Sequence, residues 1–83
     1  MKVKIKLFAL LEDYLPAGAK DNEVEIEVAE GTTAAALVRR LNLPDELCHL
    51  MLLNGDYLES GERGSRPLVE GDALTVWPPI AGG

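Results

Sequence analysis

The residues best placed by type and order to take part in chemistry close the chain: Pro79-Ile80-Ala81-Gly82-Gly83. Gly82 and Gly83 have no Cβ and tolerate any φ, so the backbone carrying the final carboxylate can pass a channel too tight for side chains. Ala81 adds only a methyl group. Pro78 and Pro79 stiffen the base of the segment in an extended form, which lowers the entropy lost when it is inserted into another site. A carboxylate is a poor electrophile until one oxygen becomes a leaving group, so such an end must be activated from outside. The remaining candidates are single residues, Cys48 and His49, the only cysteine and histidine of the chain. One cysteine excludes an internal disulfide framework, a structural zinc site of the multi-cysteine type and a four-thiolate iron–sulfur cluster. Cys48 reads as a small buried hydrophobe rather than a redox or persulfide group, and His49 as a surface or capping residue. No general base or nucleophilic side chain is evident.

A tail of this kind needs a firm body behind it. The 83 residues suffice for one small domain, and 47% of them are hydrophobic, nearly all aliphatic. A chain this short buries only somewhat more than about 60% of its unfolded surface, so that aliphatic content has to be used efficiently. The net charge of −6 repels phosphate backbones and argues against nucleic acid as a partner. It serves either solubility or steering toward a basic protein. No apolar run approaches the roughly 18–20 residues of a membrane span, and the opening residues lack a signal peptide's apolar stretch. A soluble, cytoplasmic protein is expected, with no metal and no bound cofactor.

Residues 2–7 alternate strictly, with Val3, Ile5 and Leu7 on one face and Lys2, Lys4 and Lys6 on the other. Residues 23–28 repeat the pattern with Val24, Ile26 and Val28 against Glu23, Glu25 and Glu27. Both predict strands with one buried face, and an antiparallel pair would set lysines opposite glutamates. Between them, Leu10, Leu11, Tyr14 and Leu15 suggest a helical turn stopped by Pro16 and Gly18. Thr32 is the expected N-cap of a helix over residues 33–41, in which Ala34, Leu37, Val38 and Leu41 fall at helical spacing. Arg39 and Arg40 lie in its last turns, where the macrodipole favours positive charge. A short turn over residues 45–49 and a strand over 50–53 follow. Asn54-Gly55 then signals a hairpin returning through Tyr57-Leu58. Residues 60–66 read as loop, Gly71-Asp72 as a turn, and residues 73–77 as the last strand, with Leu74 and Val76 on one face and Trp77 on the other. Pro78-Pro79 ends regular pairing, because neither proline can donate a backbone hydrogen bond. One helix across one face of a mixed sheet of about five strands is the economical way to bury these aliphatics, an α+β fold of the β-grasp type. The domain spans residues 1–78 and the flexible tail residues 79–83.

These features together resemble the MoaD/ThiS family of ubiquitin-like sulfur carriers, and more closely its MoaD branch. The resemblance is carried by the opening strand running into Leu7-Phe8-Ala9 and a short Leu-Glu-Asp-Tyr segment, and by Gly31-Thr32 before the helix. Leu53-Asn54-Gly55, Pro67-Leu68 before Glu70-Gly71-Asp72, and the closing Trp77-Pro78-Pro79-Ile80-Ala81-Gly82-Gly83 complete it. It covers essentially the whole chain and is most specific over the last seventeen residues. The stretch between the helix and Asn54 is short for the MoaD branch, and Trp77 stands where the family usually has phenylalanine.

The resemblance implies a cycle of activation. An adenylating enzyme of the MoeB/ThiF type, related to ubiquitin-activating enzymes, threads the tail to ATP and magnesium that it binds itself. The Gly83 carboxylate attacks the α-phosphate, and sulfide delivered as a persulfide displaces AMP to leave a thiocarboxylate. In the MoaD branch the sulfur passes to a pterin precursor of molybdopterin, within a synthase whose large subunit is of the MoaE type and supplies the catalysis. Gly82 and Gly83 are then the reacting end. Trp77, Pro78, Pro79, Ile80, Ala81, Leu50 and Leu52 are the expected partner-binding residues, on the sheet face opposite the helix and along the root of the tail. Folding of residues 8–15 over Trp77, Leu50 and Leu52 is the competing arrangement. A carrier for thiazole synthesis, a ubiquitin-like modifier joined to lysines through Gly83, and a bare β-grasp binding domain remain as alternatives.

Overall fold

The structure is a computed structural model and describes residues 1–79; Ile80, Ala81, Gly82 and Gly83 lie outside the described residues. Five strands form one sheet: β1 (Lys2–Leu7), β2 (Glu23–Glu27), β3 (Leu50–Leu53), β4 (Asp56–Tyr57) and β5 (Ala73–Trp77). Among the described residues a single α-helix, α1 (Ala34–Arg40), stands between β2 and β3, and short 3-10 turns occupy Ala9–Tyr14, Asp45–Leu47 and Ser60–Glu62. The strand order is β2-β1-β5-β3-β4, with β1 and β5 parallel at the centre and the other pairs antiparallel. This is the β-grasp arrangement that the element order predicts.

Period-2 alternation decides which face each strand buries. Val3, Ile5 and Leu7 of β1, Leu74 and Val76 of β5, and Met51 and Leu53 of β3 share one core with Ala34, Leu37 and Val38 of α1. The outward lysines and glutamates face one another as expected, in the pairs Lys2–Glu27, Lys4–Glu25 and Lys6–Glu23. Among the described residues none of these pairs closes to ion-pair distance; Glu27 instead meets the Met1 ammonium at 3.0 Å, which holds its carboxyl below the usual range. The charges therefore act on strand register and partner choice more than on stability, as exposed pairs do.

The helix start differs by one residue from the expectation. Thr33, not Thr32, is the N-cap: its Oγ1 accepts the Ala36 N–H at 3.2 Å. The Thr32 hydroxyl turns back and donates to the Ala29 carbonyl at 2.7 Å, closing the turn before the helix. A further free amide of the first turn, that of Ala35, donates to the Arg63 carbonyl at 2.7 Å, so a distant loop completes the cap. At the other end Arg39 and Arg40 occupy the last turn as expected, and Arg40 also donates from Nη1 to the Glu27 carbonyl at 2.7 Å, tying α1 to the end of β2. The return strand of the hairpin is Asp56–Tyr57 rather than 57–58, because Leu58 already turns into the core.

Asn54 and Gly55 adopt φ of 54° and 89°, the paired left-handed conformation of a two-residue hairpin turn. The Asn54 side chain does more than permit the turn. Its Nδ2 donates to Asp72 Oδ1 at 2.8 Å, and its Oδ1 accepts the Ala73 N–H at 2.8 Å. Asp72 Oδ2 accepts the Val69 N–H at 2.8 Å, and the Asp72 backbone carbonyl takes the Lys4 N–H at 2.8 Å. Asp72, only 8% exposed, thus locks the hairpin to the turn that launches β5. Cys48 is buried, and its thiol donates to the Pro44 carbonyl at 3.4 Å. Burial, then the charge of Asp45, pushes that thiol's pKa up, so the reactive thiolate is disfavoured, as a packing role requires.

Two measurements follow from this packing. Asp72→Ala orphans the Asn54 amide and the Val69 N–H and is expected to cost about 2–3 kcal/mol in urea unfolding, against about 0.5 kcal/mol or less for the exposed Glu59→Ala. For Cys48, a folded pKa above the unfolded one gives stability that is complete below the unfolded value and is lost as pH rises through the folded one. The wild type should therefore lose more stability than Cys48→Ala between pH values of about 8 and about 10, and iodoacetamide should label it at least about tenfold more slowly than a free thiol. Fast labelling of the folded protein at neutral pH contradicts the packing role.

Candidate functional site

The outward face of the sheet is divided. Its β2–β1 half carries the glutamates and lysines, and its β5–β3–β4 half is apolar. The register fixes the neighbours: Trp77 lies opposite Leu50, Thr75 opposite Leu52, and Leu52 in turn opposite Tyr57. Trp77 and Leu50 are thus brought together as the sequence implies, with Leu52 one step along the same face. Trp77 remains 38% exposed and Tyr57 56%, while Leu50 and Leu52 are half-buried.

Phe8 resolves the competing arrangement in part. Its ring lies flat on the Trp77 indole, 3.8 Å between centroids at an interplanar angle of 8°. Lys6 Nζ sits 5.4 Å from the Phe8 ring centre, so a cation, a phenyl ring and an indole are layered across β1 and β5. Aromatic pairing of this kind contributes about 0.5–1.5 kcal/mol beyond the area it covers. Residues 8–15 therefore cover one side of Trp77 but leave it exposed, and the next leucine, Leu10, faces outward while Leu11 enters the core. The segment is steered by Ala9, whose φ of 53° is unusual for a residue with a Cβ. Tyr57 is not among the expected partner-binding residues, although it lies exposed on this face. Tyr57 was legible, because a two-residue Asn-Gly loop places it directly across from Leu52.

The root of the tail is held from both sides. β5 pairs with β1 on one edge and β3 on the other, and beyond the ladder the Phe8 N–H donates to the Val76 carbonyl at 3.3 Å and the His49 N–H to the Trp77 carbonyl at 3.1 Å. Pro78 is buried, so it packs into the body instead of presenting a surface, and Pro79 is exposed. Of the acidic residues, Asp45, Glu46, Asp56 and Glu59 are exposed around β3 and β4, whereas Glu62 meets Arg66 at 3.8 Å. A shallow cavity of about 380 Å³ lies on the other side of the domain, lined by Val38, Arg39, Asp45, Cys48, Ser60 and Arg63. Within it Arg63 donates from Nη1 to the Cys48 carbonyl at 3.0 Å and from Nη2 to the His49 carbonyl at 3.2 Å, with its Nε buried and unpartnered. Such an orphan donor costs about 1–3 kcal/mol, which the two carbonyl bonds must offset. Among the described residues no group of three or more His, Cys, Asp or Glu is placed to hold a metal, and no helix is long and apolar enough to cross a membrane. What the arrangement offers is a rigid body with an apolar, aromatic face beside the start of the tail.

Known proteins share this architecture. SAMP1 from Haloferax volcanii is 27% identical, with each chain covered in full and a TM-score of 0.65. A putative molybdopterin converting factor, subunit 1, from Pyrococcus furiosus is 27% identical over 95% of this chain and 98% of its own, with a TM-score of 0.69. Subunit 1 or 2 in a protein–protein complex of the molybdopterin-converting factor from Helicobacter pylori shares the fold at 20% identity, covering both chains in full with a TM-score of 0.61. No curated protein matches the chain. The ThiS family model matches residues 5–83, from the first strand through the terminal glycines, and the chain therefore belongs to the ThiS family.

Proposed function

We propose that this chain is a sulfur carrier of molybdopterin synthesis, charged at the Gly83 carboxylate and working as the small subunit beside a larger catalytic one. The observation that carries the reading is the position of β5. It is a central strand, hydrogen-bonded on both edges, and it ends beside an exposed indole immediately before Pro78, Pro79 and a Gly-Gly end. A body of this form can be gripped by its apolar face while the slender end is inserted into a partner's site. That division suits a substrate protein: the carrier contributes a reacting carboxylate, and the partner contributes catalysis.

In the proposed cycle an adenylating enzyme of the MoeB/ThiF type binds ATP and magnesium. A Gly83 carboxylate oxygen attacks the α-phosphorus and pyrophosphate leaves. Hydrosulfide then attacks the acyl carbon, expels AMP and loses its proton, so that sulfur replaces one carboxyl oxygen as a thiocarboxylate. The methyl of Ala81 and the absence of side chains on Gly82 and Gly83 keep the inserted segment thin enough for both steps to occur in one enclosed site. Similarity to a protein described as subunit 1 of a molybdopterin converting factor supports pterin as the sulfur's destination and a MoaE-type large subunit as the second partner.

Incubation with an adenylating enzyme of this type, ATP–magnesium and a sulfur donor should convert the chain to a species with one oxygen replaced by sulfur, seen by intact mass spectrometry. Deletion of Gly82 and Gly83 should abolish that conversion while leaving thermal unfolding unchanged. An unaltered mass with an enzyme that charges its own carrier counts against the proposal; isopeptide adducts ending in Gly82-Gly83 point to a protein modifier instead. On the docking face, Leu50→Asp and Tyr57→Asp are each expected to raise KM for the carrier by about tenfold with kcat little changed, since central apolar anchors dominate binding energy. Unchanged KM in both variants places the docking surface elsewhere.

A further inference from the structure

Arg63 is the one arginine among the described residues whose guanidinium is turned inward onto two consecutive backbone carbonyls, those of Cys48 and His49. The Cys48 carbonyl and the His49 N–H belong to the same peptide group. That N–H donates to the Trp77 carbonyl at 3.1 Å. The Trp77 carbonyl in turn belongs to the peptide joining Trp77 to Pro78, and because proline has no N–H it is the only hydrogen-bonding group on that peptide. A continuous line therefore runs from the Arg63 guanidinium, through the Cys48–His49 peptide, to the one polar handle on the link between β5 and the tail.

We propose that Arg63 is a positioning residue that sets the direction in which the tail leaves the domain. Donation into a peptide carbonyl polarises the group and strengthens its own N–H as a donor, so the guanidinium tightens the His49–Trp77 bond as well as placing it. The other end of Arg63 is equally fixed, because its own carbonyl accepts the Ala35 N–H at the start of α1 at 2.7 Å. Arg63 thereby references the exit of the tail to the helix, whose Ala34, Leu37 and Val38 are buried in the core. An anion-binding role for this arginine is disfavoured by the same geometry: both Nη groups are engaged by carbonyls and Nε is buried away from any ligand. Holding an unpartnered donor in the interior makes sense if the two carbonyl contacts serve something beyond stability.

The inference rests on the reading of the tail as the reacting segment, and the test separates the two. Amide hydrogen exchange and steady-state adenylation are measured on the full chain, wild type, Arg63→Met and Arg63→Lys. In Arg63→Met the His49 amide should exchange at least about tenfold faster, while the amides of Lys4 and Leu58, bonded to Asp72 and Met51 carbonyls, keep their rates. In adenylation kcat should fall about tenfold with KM within about twofold of wild type, because the docking face is intact and only the delivery of the carboxylate is impaired. Arg63→Lys, which keeps a donor but not the fork, should fall between the two and gives the same comparison should Arg63→Met not fold. Unchanged His49 exchange overturns the proposal. So do equal acceleration of all three amides, which marks general loosening, and a wild-type kcat despite faster His49 exchange. A wild-type chain that is never adenylated defeats the sulfur-carrier reading, while the exchange comparison still decides the relay.

Discussion

With only seven helical residues, α1 cannot cover a five-stranded sheet, and the rest of the structure is arranged around that shortage. The inner face of β1, β3 and β5 needs a second layer, and the helix supplies Ala34, Leu37 and Val38. The remainder comes from single side chains dropped inward by the connections. Leu11 comes from the first 3-10 turn, Leu43 and Cys48 from the stretch after the helix, Leu58 from the end of the hairpin, and Leu68 from the loop before β5. Each of these longer connections is thereby pinned to the core by at least one apolar residue, and burying such a side chain is worth about 1.5–3 kcal/mol. Loops held this way can carry fixed polar contacts, and it is from one of them that Arg63 reaches both the cap of α1 and the segment before β3.

Because the inner face holds the buried core, most of the outer face is left for other uses. The strand period separates the two sets of residues cleanly: Leu74 and Val76 stabilise the domain, while Thr75 and Trp77 on the same strand face outward. The outer face is then divided again by charge. Lysines of β1 meet glutamates of β2, so a second copy pairing β2 to β2 would set glutamates together, which discourages association through that edge. The apolar half has no such deterrent, and it is the half that borders the tail.

Much of this was legible in the residues. Alternation in β1, β2 and β5 fixed which side chains enter the core, because a shift by one residue would expose every aliphatic of the strand. Asn54-Gly55 announced its hairpin through the two positive φ values that few other pairs accept. What could not be read were choices between equivalent neighbours and contacts between distant ones. Thr32 and Thr33 are alike as capping residues, and the decision falls to the preceding turn, where the Ala29 carbonyl claims the Thr32 hydroxyl. The stacking of Phe8 on Trp77 depends on Ala9 adopting a conformation that alanine rarely takes, so no propensity points to it. The bonds of Asn54 to Asp72 and of Arg63 to Cys48 join residues far apart in sequence, and neither spacing nor residue type announces them. In the candidate site, Trp77, Leu50 and Leu52 followed from parity, whereas the burial of Pro78 depends on tertiary packing alone.

The boundary between body and tail is consequently sharp. Pro78 is enclosed and Pro79 is exposed, so the change from packed to open surface occurs across one peptide bond. Two prolines at that point have opposite effects on order. They withdraw the N–H groups that would let β5 continue, which ends the sheet, and they restrict φ, which keeps the chain extended where the sheet no longer holds it. A flexible linker at the same place would let the end search a large volume, and entry into a narrow site would then cost the entropy of every extra conformation. At Trp77 and Pro78 the backbone, held by a braced carbonyl and an enclosed proline, has already lost that freedom when the domain folds. The stability of the body thus becomes directional order at Pro78, the last enclosed residue of the domain.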